Sequence, residues 1–379
     1  MEGRKKIIRA VTVDTSLLFI EPSILSLMDK YEIQLLSSPG EKLNQMNVQY
    51  GVKIHPVFMY RRISFFQDLL SLYHLIKVFY REKPYVVHSM TPKAGLLCML
   101  AAWVLRVPCR VHTFTGLVWP TSSGISRKIL MLTDRLTCAC ATHVIPEGHG
   151  VLNDLRRSIT HKPMQVLGYG NIRGIDMKKF SRTNEVIELS NKLRLKDVFS
   201  YVFVGRLVKD KGINELIIAF KKLHEKYPAT RLFLVGGYEE DLDPLDSDTI
   251  DEINTNSAIE AVGLQYGNNL LAYYVASDCF VFPSYREGFP NVVLEAGAMG
   301  LPSIVTDING SREIIEDGKN GIIIPPMDII SLYDAMEKIM LDKERTKILA
   351  SNARDIIEKR YEQNFVTKCL LDFYDKIIV

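Results

Sequence analysis

Short apolar segments rich in β-branched residues alternate with helix-length segments along the whole chain. Strands that alternate with helices predict parallel, doubly wound sheets. Two such series in a chain of 379 residues predict an α/β protein with two Rossmann-like domains. The clearest segments are KIIRAVTVD at 6–14, YVVHSM at 85–90 and CRVHTFTG at 109–116 in the first half, and SYVFVGRL at 200–207, DCFVFPS at 278–284 and PSIVTD at 302–307 in the second.

A stretch rich in glycine, polar and charged residues separates the two series near residues 166–190. We therefore predict an N-terminal domain at 1–168, a junction at 169–190 and a second domain at 191–355. The last segment, 356–379, is predicted to form helices that pack back towards the N-terminal domain.

The composition is typical of a soluble globular protein, with 47% hydrophobic and 24% charged residues. The most hydrophobic segment, at 94–105, is shorter than the roughly 20 apolar residues that a membrane span needs, so it predicts a core helix. The six cysteines show no paired framework, which predicts structural thiols in a reducing compartment.

Charge is distributed unevenly along the chain. Residues 1–180 contain 24 lysines and arginines against 12 acidic residues, whereas residues 181–379 contain 23 against 32. Basic clusters in the first half, such as Arg61-Arg62 and Arg127-Lys128, suggest an anionic partner: a membrane surface, a lipid diphosphate or a nucleic acid. No nucleic-acid-binding motif is present, and a solvated basic surface is the alternative interpretation.

Ligands of doubly wound folds bind beyond the carboxyl ends of the strands, where this chain places several polar residues. Arg206 and Lys211 follow one predicted strand, and the segment YREGFPNVVLEAGAMG at 285–300 follows another. Pro290 is suited to a first helical turn, so the free N–H groups of residues 288–292 would favour a phosphate. These features predict a diphosphate site built without a metal.

Two glutamates flank this predicted helix start. Glu295 lies about one turn into the helix, where its carboxylate can accept hydrogen bonds from ribose hydroxyls. Glu287 precedes the helix, on the side where a transferred sugar would lie. Structural roles are the alternatives: Glu287 as a partner of the helix dipole, and Glu295 as a salt-bridged core residue.

The strings GRLVKDKG at 205–212 and FPSYREGFPNVVLEAGAMG at 282–300 resemble the donor-binding half of family-4 retaining glycosyltransferases, which have the GT-B fold. Glu287 and Glu295 meet the family's E-x7-E spacing. The string at 86–116 resembles the acceptor domain, and LGYGNIRGIDMKKF at 167–180 resembles the turn at the domain junction. The insertion at 234–248 is similar to that of enzymes building bacterial capsule, O-antigen or lipid-linked oligosaccharides.

The resemblance implies two domains facing across a cleft and a sugar transferred, with retention of configuration, from a nucleotide donor. The donor is expected to be a UDP-sugar carrying a hexose or N-acetylhexosamine, with no metal or cofactor. It implies catalytic roles for Glu287, Arg206 and Lys211, and no enzyme nucleophile, because the favoured mechanism is front-face attack. Donor binding is expected from Arg206, Lys211, Gly288, Phe289, Pro290, Asn291, Val292 and Glu295.

The acceptor half departs from the family pattern. Thr115 stands where many relatives have a second histidine, so His112 is either a donor-sugar contact or a core histidine. His88 and Lys93 are expected at a strand end facing the cleft, where Lys93 would meet an acceptor diphosphate or begin a solvated helix. Asn171 is either a ligand contact or the residue of a tight Asx-type turn.

A polyprenyl-diphosphate-linked glycan is the expected acceptor, and the enzyme would lie peripherally on the cytoplasmic face of the inner membrane, attracted by anionic lipid. Two other functional classes stay open: a sugar-nucleotide epimerase of similar architecture, and a non-catalytic sugar-nucleotide-binding protein. A nicotinamide enzyme is not favoured, since no strand is followed by G-x-G-x-x-G.

Overall fold

The computed structural model of the chain describes residues 4–61, 64–239 and 243–378. Arg62 of the first basic cluster and residues 240–242 of the insertion lie outside the described residues. The chain divides into two compact units. The first unit comprises Met1–Gly174 and Gln363–Val379, and the second unit comprises Ile175–Glu362.

The first unit contains a six-stranded parallel sheet in the order β3-β2-β1-β4-β5-β6. Its strands are β1 Lys6–Ala10, β2 Glu32–Ser37, β3 Lys53–Pro56, β4 Val86–Met90, β5 Cys109–Phe114 and β6 His143–Pro146. Its helices are α1 Ile24–Met28, α2 Glu41–Tyr50, α3 Phe65–Glu82, α4 Pro92–Val104, α5 Gly124–Cys140, α6 His149–Ser158 and, from the end of the chain, α15 Gln363–Ile377.

The second unit contains another six-stranded parallel sheet, in the order β12-β11-β10-β7-β8-β9. Its strands are β7 Phe199–Val204, β8 Thr230–Val235, β9 Ile259–Gly263, β10 Cys279–Phe282, β11 Ser303–Thr306 and β12 Gly321–Ile324. Its helices are α7 Asn184–Leu193, α8 Ile213–Lys226, α9 Ser247–Thr255, α10 Gly267–Ala276, α11 Asn291–Ala298, α12 Ser311–Ile314, α13 Ile329–Leu341 and α14 Lys343–Tyr361.

Both sheets have the strand order of a dinucleotide-binding fold, in which the first and fourth strands are neighbours at the point where the order reverses. The predicted fold class, α/β with two Rossmann-like doubly wound domains, is confirmed. The central strands, such as β4, β10 and β11, are buried on both faces, which explains their nearly continuous apolar runs, whereas the edge strands β3 and β9 are partly exposed. Within the described residues, no helix is both long and apolar enough to cross a membrane.

Helices cover both faces of the first sheet. Helices α3, α4 and α5 pack side by side over one face, where Leu75 and Phe79 of α3 join the core. Helices α1, α2 and α15 cover the other face, where Phe373 and Tyr374 of α15 join the core. All six cysteines are free thiols, and five of them are buried.

The boundaries between the units differ from the predicted ones. The first boundary falls at Gly174 and Ile175, inside the predicted junction 169–190, and α7 is part of the second unit. The predicted boundary between 355 and 356 falls inside α14, which continues to Tyr361. Helix α14 packs against α11 up to this end, because Gly297 lets the Ile357 side chain approach: a Cβ at Gly297 would lie 2.7 Å from Ile357 Cγ1.

One buried and one partly exposed polar contact attach α15 to the rest of the first unit. The Tyr374 hydroxyl lies 2.5 Å from His88 Nδ1, and the Tyr31 hydroxyl donates to Asp375 at 2.6 Å. His88 and Tyr374 are fully buried. Because water cannot reach His88 Nδ1 or the Tyr374 hydroxyl there, each depends on the other for its hydrogen bond.

We expect Tyr374→Phe to lower the free energy of unfolding by about 1–3 kcal/mol, because it leaves His88 Nδ1 buried without its partner. Urea denaturation measures this loss. Tyr333→Phe is the matched control: its hydroxyl donates to Glu337 at 2.7 Å on a half-buried surface, so the loss should be a few tenths of a kcal/mol. Equal losses in the two variants would contradict the proposed role of the α15 contact.

Candidate active site

The candidate site lies at the carboxyl edge of the second sheet, where its strand order reverses. Strands β7 and β10 are neighbours there, and their helices leave towards opposite sides. Arg206 and Lys211 follow β7, and Glu287 follows β10. The topology therefore brings together residues that are 76 positions apart in sequence.

Close backbone contact joins the two segments that carry these side chains. Gly212 has φ +69°, and a Cβ there would lie 2.2 Å from the carbonyl oxygen of Pro283. The amide of Tyr285 donates to the carbonyl of Asp210 at 2.9 Å. Only glycine fits this approach, which fixes Lys211 beside the turn after β10.

Lys211 and Glu287 form an ion pair with 2.5 Å between Nζ and Oε1. Their side chains are only 13% and 18% exposed. Ser284 Oγ donates to the same glutamate oxygen at 3.2 Å, and Lys211 Nζ lies 5.8 Å from the centre of the Phe282 ring. Two of the three residues predicted as catalytic are thus in direct contact and mostly shielded from water.

Arg206 has a partner that the sequence did not indicate. Its Nη1 contacts the carboxylate of Glu239, which belongs to the insertion at 234–248. Other described residues of this insertion also contact the site: Asp243 accepts from the amide of Asp210 at 2.6 Å, and Asp246 pairs with Lys209 at 2.8 Å. An anion that binds Arg206 would therefore compete with Glu239.

The start of α11 differs in detail from the prediction. The helix begins at Asn291, and Pro290 is its N-cap, whereas Pro290 was expected within the first turn. The amide of Val293 donates to the Pro290 carbonyl at 3.1 Å. The Val293 amide is therefore used within the first turn, and phosphate binding at this helix start stays a prediction.

Gly288 and Phe289 shape the turn before α11. A Cβ at Gly310 would lie 2.5 Å from the Gly288 carbonyl oxygen, so the loop after β11 supports the turn from below. The Phe289 side chain is buried and packs on Tyr361 with 5.5 Å between ring centres. The Phe289 ring is thus part of the core, and only its backbone lies at the site edge.

Glu295 is the fifth residue of α11 and is buried. The hydroxyl of Tyr274 donates to its Oε2 at 3.3 Å. Burial, followed by the neighbouring glutamate, raises the pKa of Tyr274 well above its usual value, so the phenol stays protonated as a donor. Tyr274 was not identified from the sequence.

In the first unit, the two histidines predicted as cleft residues, His88 and His112, are core groups. His88 is the third residue of β4 and is fully buried, with Thr113 Oγ1 2.7 Å from its Nε2 in addition to the Tyr374 contact. It therefore does not lie at a strand end facing a cleft, as was expected, because the strand register directs it to the face that α15 covers. Burial, then the nearby Arg9, holds its pKa well below the usual value.

His112 lies on β5 and is 1% exposed. Its Nδ1 is 2.9 Å from Ser89 Oγ, and a Cβ at Gly95 would lie 2.4 Å from its ring. Burial lowers the pKa of His112 to about 3, so the ring is neutral at physiological pH. These contacts favour the core-histidine interpretation over a donor-sugar contact.

Lys93 and Asn171 also make internal contacts. Lys93 is in the first turn of α4, and its Nζ pairs with the carboxylate of Asp68 on α3 at 2.6 Å. Its side chain is only 11% exposed, so it is not a solvated helix start, and contact with an acceptor diphosphate stays a prediction. Asn171 has φ +59°, and its side-chain oxygen accepts from the amides of Arg173 and Gly174, which is the predicted Asx-type turn.

Thr115 follows β5 directly and lines a small cavity with His112 and Asp134 of α5. Asp134 was not identified from the sequence, because it lies in a helix about 20 residues beyond the motif and meets it only in the fold. Burial raises the pKa of the Asp134 carboxyl to about 7. In the described part of the chain, no three metal-binding side chains form a cluster, and absence of a metal stays a prediction.

Residues 186–356 match the sequence model of the family "Glycosyl transferases group 1", and residues 28–170 match the "Glycosyl transferase 4-like domain". The chain is 31% identical over 377 residues to the capsular polysaccharide biosynthesis glycosyltransferase CapM of Staphylococcus aureus, a match that covers 99% of this chain and 98% of CapM. The chain belongs to this glycosyltransferase family.

A second relative is similar over less of its length. The glycosyltransferase is 30% identical over 301 residues to the UDP-Gal:alpha-D-GlcNAc-diphosphoundecaprenol alpha-1,3-galactosyltransferase of Escherichia coli, covering 78% of this chain and 76% of the relative. Family membership identifies the chain as a transferase. The alternatives of an epimerase and of a non-catalytic binding protein are therefore set aside.

Solved structures support the fold. Anabaena HepE, crystallised in complex with UDP, matches with a TM-score of 0.79 at 17% identity, covering 98% of this chain and 100% of HepE. This likeness confirms the predicted GT-B fold class of the glycosyltransferase.

The raised pKa of Asp134 predicts a specific pH dependence of stability. Since the folded-state pKa of about 7 lies above the usual aspartate value, the folded protein retains this proton to higher pH than the unfolded chain does. The stability that the folded protein gains by retaining the Asp134 proton is present at low pH and is lost as pH rises towards 7. We therefore expect Asp134→Asn to gain roughly 1–2 kcal/mol relative to the wild type between pH 5 and pH 8.

Urea denaturation of both proteins at the two pH values measures this difference. Asp29→Asn, at an exposed aspartate of the same unit, is the control and should show no such gain. If the gain of Asp134→Asn were the same at pH 5 and pH 8, the carboxyl would not titrate in this interval.

Proposed function

We propose that this glycosyltransferase moves a hexose or N-acetylhexosamine from a UDP-sugar to a polyprenyl-diphosphate-linked glycan, with retention of configuration. The reaction would belong to bacterial surface polysaccharide synthesis. The observation that carries the proposal is the arrangement of the Lys211–Glu287 pair, Arg206 and the amino end of α11 around one sheet edge.

The proposed donor site matches the charge of a nucleotide diphosphate. Lys211 and Arg206 provide two cations, and the first-turn amides of α11 provide hydrogen-bond donors at the positive end of the helix. Positive groups fixed in this way stabilise the charge that develops on a leaving diphosphate. Because Lys211 is already shielded from water, little solvent has to be displaced from it when the diphosphate arrives.

Glu287 would bind the sugar of the donor, and Glu295 would bind its ribose. Glu287 is fixed by Lys211 and Ser284, so its carboxylate can accept hydrogen bonds from the sugar hydroxyls near the reacting carbon. Glu295, oriented by Tyr274, would accept from the ribose hydroxyls. UDP is favoured as the nucleotide by the UDP complex of HepE and by the UDP-Gal donor of the E. coli relative.

Retention is proposed to occur without an enzyme nucleophile. A double displacement would need a carboxylate free to attack the anomeric carbon, and Glu287 is instead held in an ion pair. In a front-face reaction the acceptor oxygen bonds to the anomeric carbon on the side from which the diphosphate leaves. The bond between that carbon and the diphosphate oxygen breaks, and the acceptor proton passes to the leaving phosphate.

The acceptor proposal is supported by the relatives and by charge. CapM acts in capsular polysaccharide biosynthesis, and the E. coli enzyme acts on a diphosphoundecaprenol-linked sugar. The excess of basic residues in the first 180 positions matches such an anionic acceptor.

A membrane-binding surface is proposed on the outer side of α3, α4 and α5, on the cytoplasmic face of the inner membrane. Four aromatic side chains of α3 are exposed: Phe65, Phe66, Tyr73 and Tyr80, with Phe66 83% exposed. Trp103 at the end of α4 and Ile125 of α5 are exposed on the same layer. Basic residues accompany them: Lys77, Arg81, Arg106, Arg127 and Lys128. Aromatic and basic side chains in one layer suit the interface of an anionic bilayer.

For the donor site, UDP in 100-fold excess over its dissociation constant should stabilise the wild type by about 2.7 kcal/mol. Arg206→Ala/Lys211→Ala should lose this response, and Lys211→Ala alone should lower kcat/KM about 100-fold or more, because a cation facing the leaving group is removed. Thermal unfolding with UDP, GDP, ADP and NAD measures binding. Lys192→Ala/Lys222→Ala, at exposed lysines of the same unit, is the control and should respond like the wild type.

If UDP failed to stabilise the wild type while GDP or ADP did so, the prediction of UDP would be wrong, but the prediction of a nucleotide site would not. Stabilisation that survived in Arg206→Ala/Lys211→Ala would place the donor elsewhere. The anomeric configuration of the product, read from its proton coupling constants, tests retention separately.

For the membrane surface, the wild type should sediment with vesicles containing anionic lipid at low salt and be released as salt increases. Phe65→Ser/Phe66→Ser/Tyr73→Ser should weaken partitioning about 10-fold or more, because three apolar rings are lost from the interface. Leu264→Ser/Tyr266→Ser removes exposed apolar side chains from the second unit and serves as control. Equal partitioning of the two variants would exclude α3 as the contact.

A further inference from the structure

A large cavity lies at the edge of the second sheet opposite to the donor site. Its volume is about 790 Å³, within the usual range for a small-molecule pocket. The residues that begin or directly precede four neighbouring strands line it: Phe199 of β7, Ala229 before β8, Asp278 before β10 and Pro302 before β11. The cavity thus lies at the amino ends of these strands, whereas Arg206 and Glu287 lie beyond the carboxyl ends.

The floor of the cavity is apolar. Val275, Leu301, Pro302 and Met340 are buried at its base, and Phe199 and Tyr227 are half-buried at its sides. Such a floor provides no hydrogen bonds, so it favours a ligand with an apolar body.

The rim of the cavity is basic although the surrounding unit is acidic. Residues 175–362 contain 23 lysines and arginines against 31 acidic residues. The cavity lining contains five cations against the carboxylates of Asp197 and Asp278. The five are Arg182, Arg194, Lys226, Lys343 and Lys347. The cavity lining would therefore attract an anionic ligand, whereas the acidic remainder of the unit would not.

Three of the five cations make ion pairs, and one of them, Lys226, pairs with Glu337 at 2.9 Å on the exposed surface. Asp278 pairs with Arg194 at 2.8 Å. Lys347 pairs with Glu344 across an exposed turn of α14, which is a weak contact in water.

Lys343 makes no ion pair within the described residues and is the first residue of α14. The start of this helix is capped by Asp342, whose carboxylate accepts from the amide of Arg345 at 3.1 Å, so the cations of the rim and not the helix end would attract an anion.

We propose that this cavity is a second ligand site, which binds an organic phosphate with an apolar body. The basic rim would hold the phosphate through Lys343 and Lys347, and the apolar part would lie on Leu301, Pro302 and Met340. Nothing in the proposed transfer reaction uses this cavity.

Helix α11 connects the cavity with the donor edge. Arg182 donates through Nε and Nη2 to the carbonyl of Met299, at 3.2 and 2.9 Å, just beyond the end of α11. The same helix begins at Asn291 in the candidate active site. A phosphate that drew Arg182 away from this carbonyl would alter the helix end, so its binding would change the affinity for UDP and be changed by UDP equally. This consequence rests on the proposed donor site, whereas binding in the cavity does not.

The test is calorimetric titration of the full-length protein with octyl phosphate, in the absence of nucleotide. We expect one binding site per chain, and binding about 10-fold or more weaker in Lys343→Glu/Lys347→Glu, because two attractive charges become repulsive. The matched control, Arg345→Glu/Lys359→Glu, makes the same charge change on α14 at exposed residues that do not line the cavity, and should bind like the wild type. Circular dichroism checks that each variant is folded, and Lys343→Gln/Lys347→Gln replaces the glutamate variant if it is not.

Two further probes separate the contributions of the head and the chain. If the rim and the floor both contribute to binding, inorganic phosphate and octan-1-ol should each bind more weakly than octyl phosphate, by a factor of about 10 or more. The proposal is wrong if octyl phosphate shows no saturable binding, if it binds equally to the two glutamate variants, or if inorganic phosphate alone binds as tightly.

Discussion

The ion pair between Lys211 and Glu287 depends on the reversal of strand order beside β7. Only at that point do two neighbouring strands send their following segments to opposite sides and leave an opening above the sheet. The glycine at 212 then lets the segment after β7 approach the carbonyl of Pro283. Without this approach, a lysine and a glutamate 76 residues apart could not share a mostly buried contact. Arg206, the start of α11 and the insertion are arranged around the same point.

Stability alone does not explain such a pair. Taking both charges out of water costs several kcal/mol, and apolar residues of similar size often serve the fold as well or better. A fixed cation at a sheet edge that binds anions has a different use, because it is oriented before the substrate arrives. The pair is thus better understood as a prepared part of the proposed donor site, where Glu287 would hold Lys211 in place until a diphosphate shares its charge.

Much of this arrangement could be predicted from the sequence. The two sheets follow from apolar runs alternating with helical segments, and the residues at the site edge follow from their positions after strands. What could not be predicted depends on long-range packing. The contact of Arg206 with Glu239 requires knowing where the insertion folds, and Asp134 meets His112 only because α5 packs beside β5.

Other differences between the prediction and the structure have local causes that could partly be recognised in the sequence. His88 lies in the middle of a strand of a parallel sheet, and such strands are buried on both faces, so its burial followed from the strand assignment itself. The second domain was predicted to end at 355, although the apolar side of α14 continues through Ile357 to Tyr361. Pro290 precedes its helix by one residue, a shift within the usual uncertainty of helix ends.

The acidic insertion gives the donor site an opposing charge that a sequence motif does not reveal. Glu239 occupies Arg206, and Asp246 occupies Lys209, so part of the positive potential near the diphosphate position is neutralised by the protein itself. Arg206 and Glu239 are both partly exposed, so their contact is weak in water and a diphosphate with two or more charges can displace the single carboxylate. Lys211, by contrast, is shielded and keeps Glu287 as a partner. The two cations of the motif are therefore not equivalent: Lys211 is fixed in advance, whereas Arg206 would become available to the proposed donor only when Glu239 is displaced.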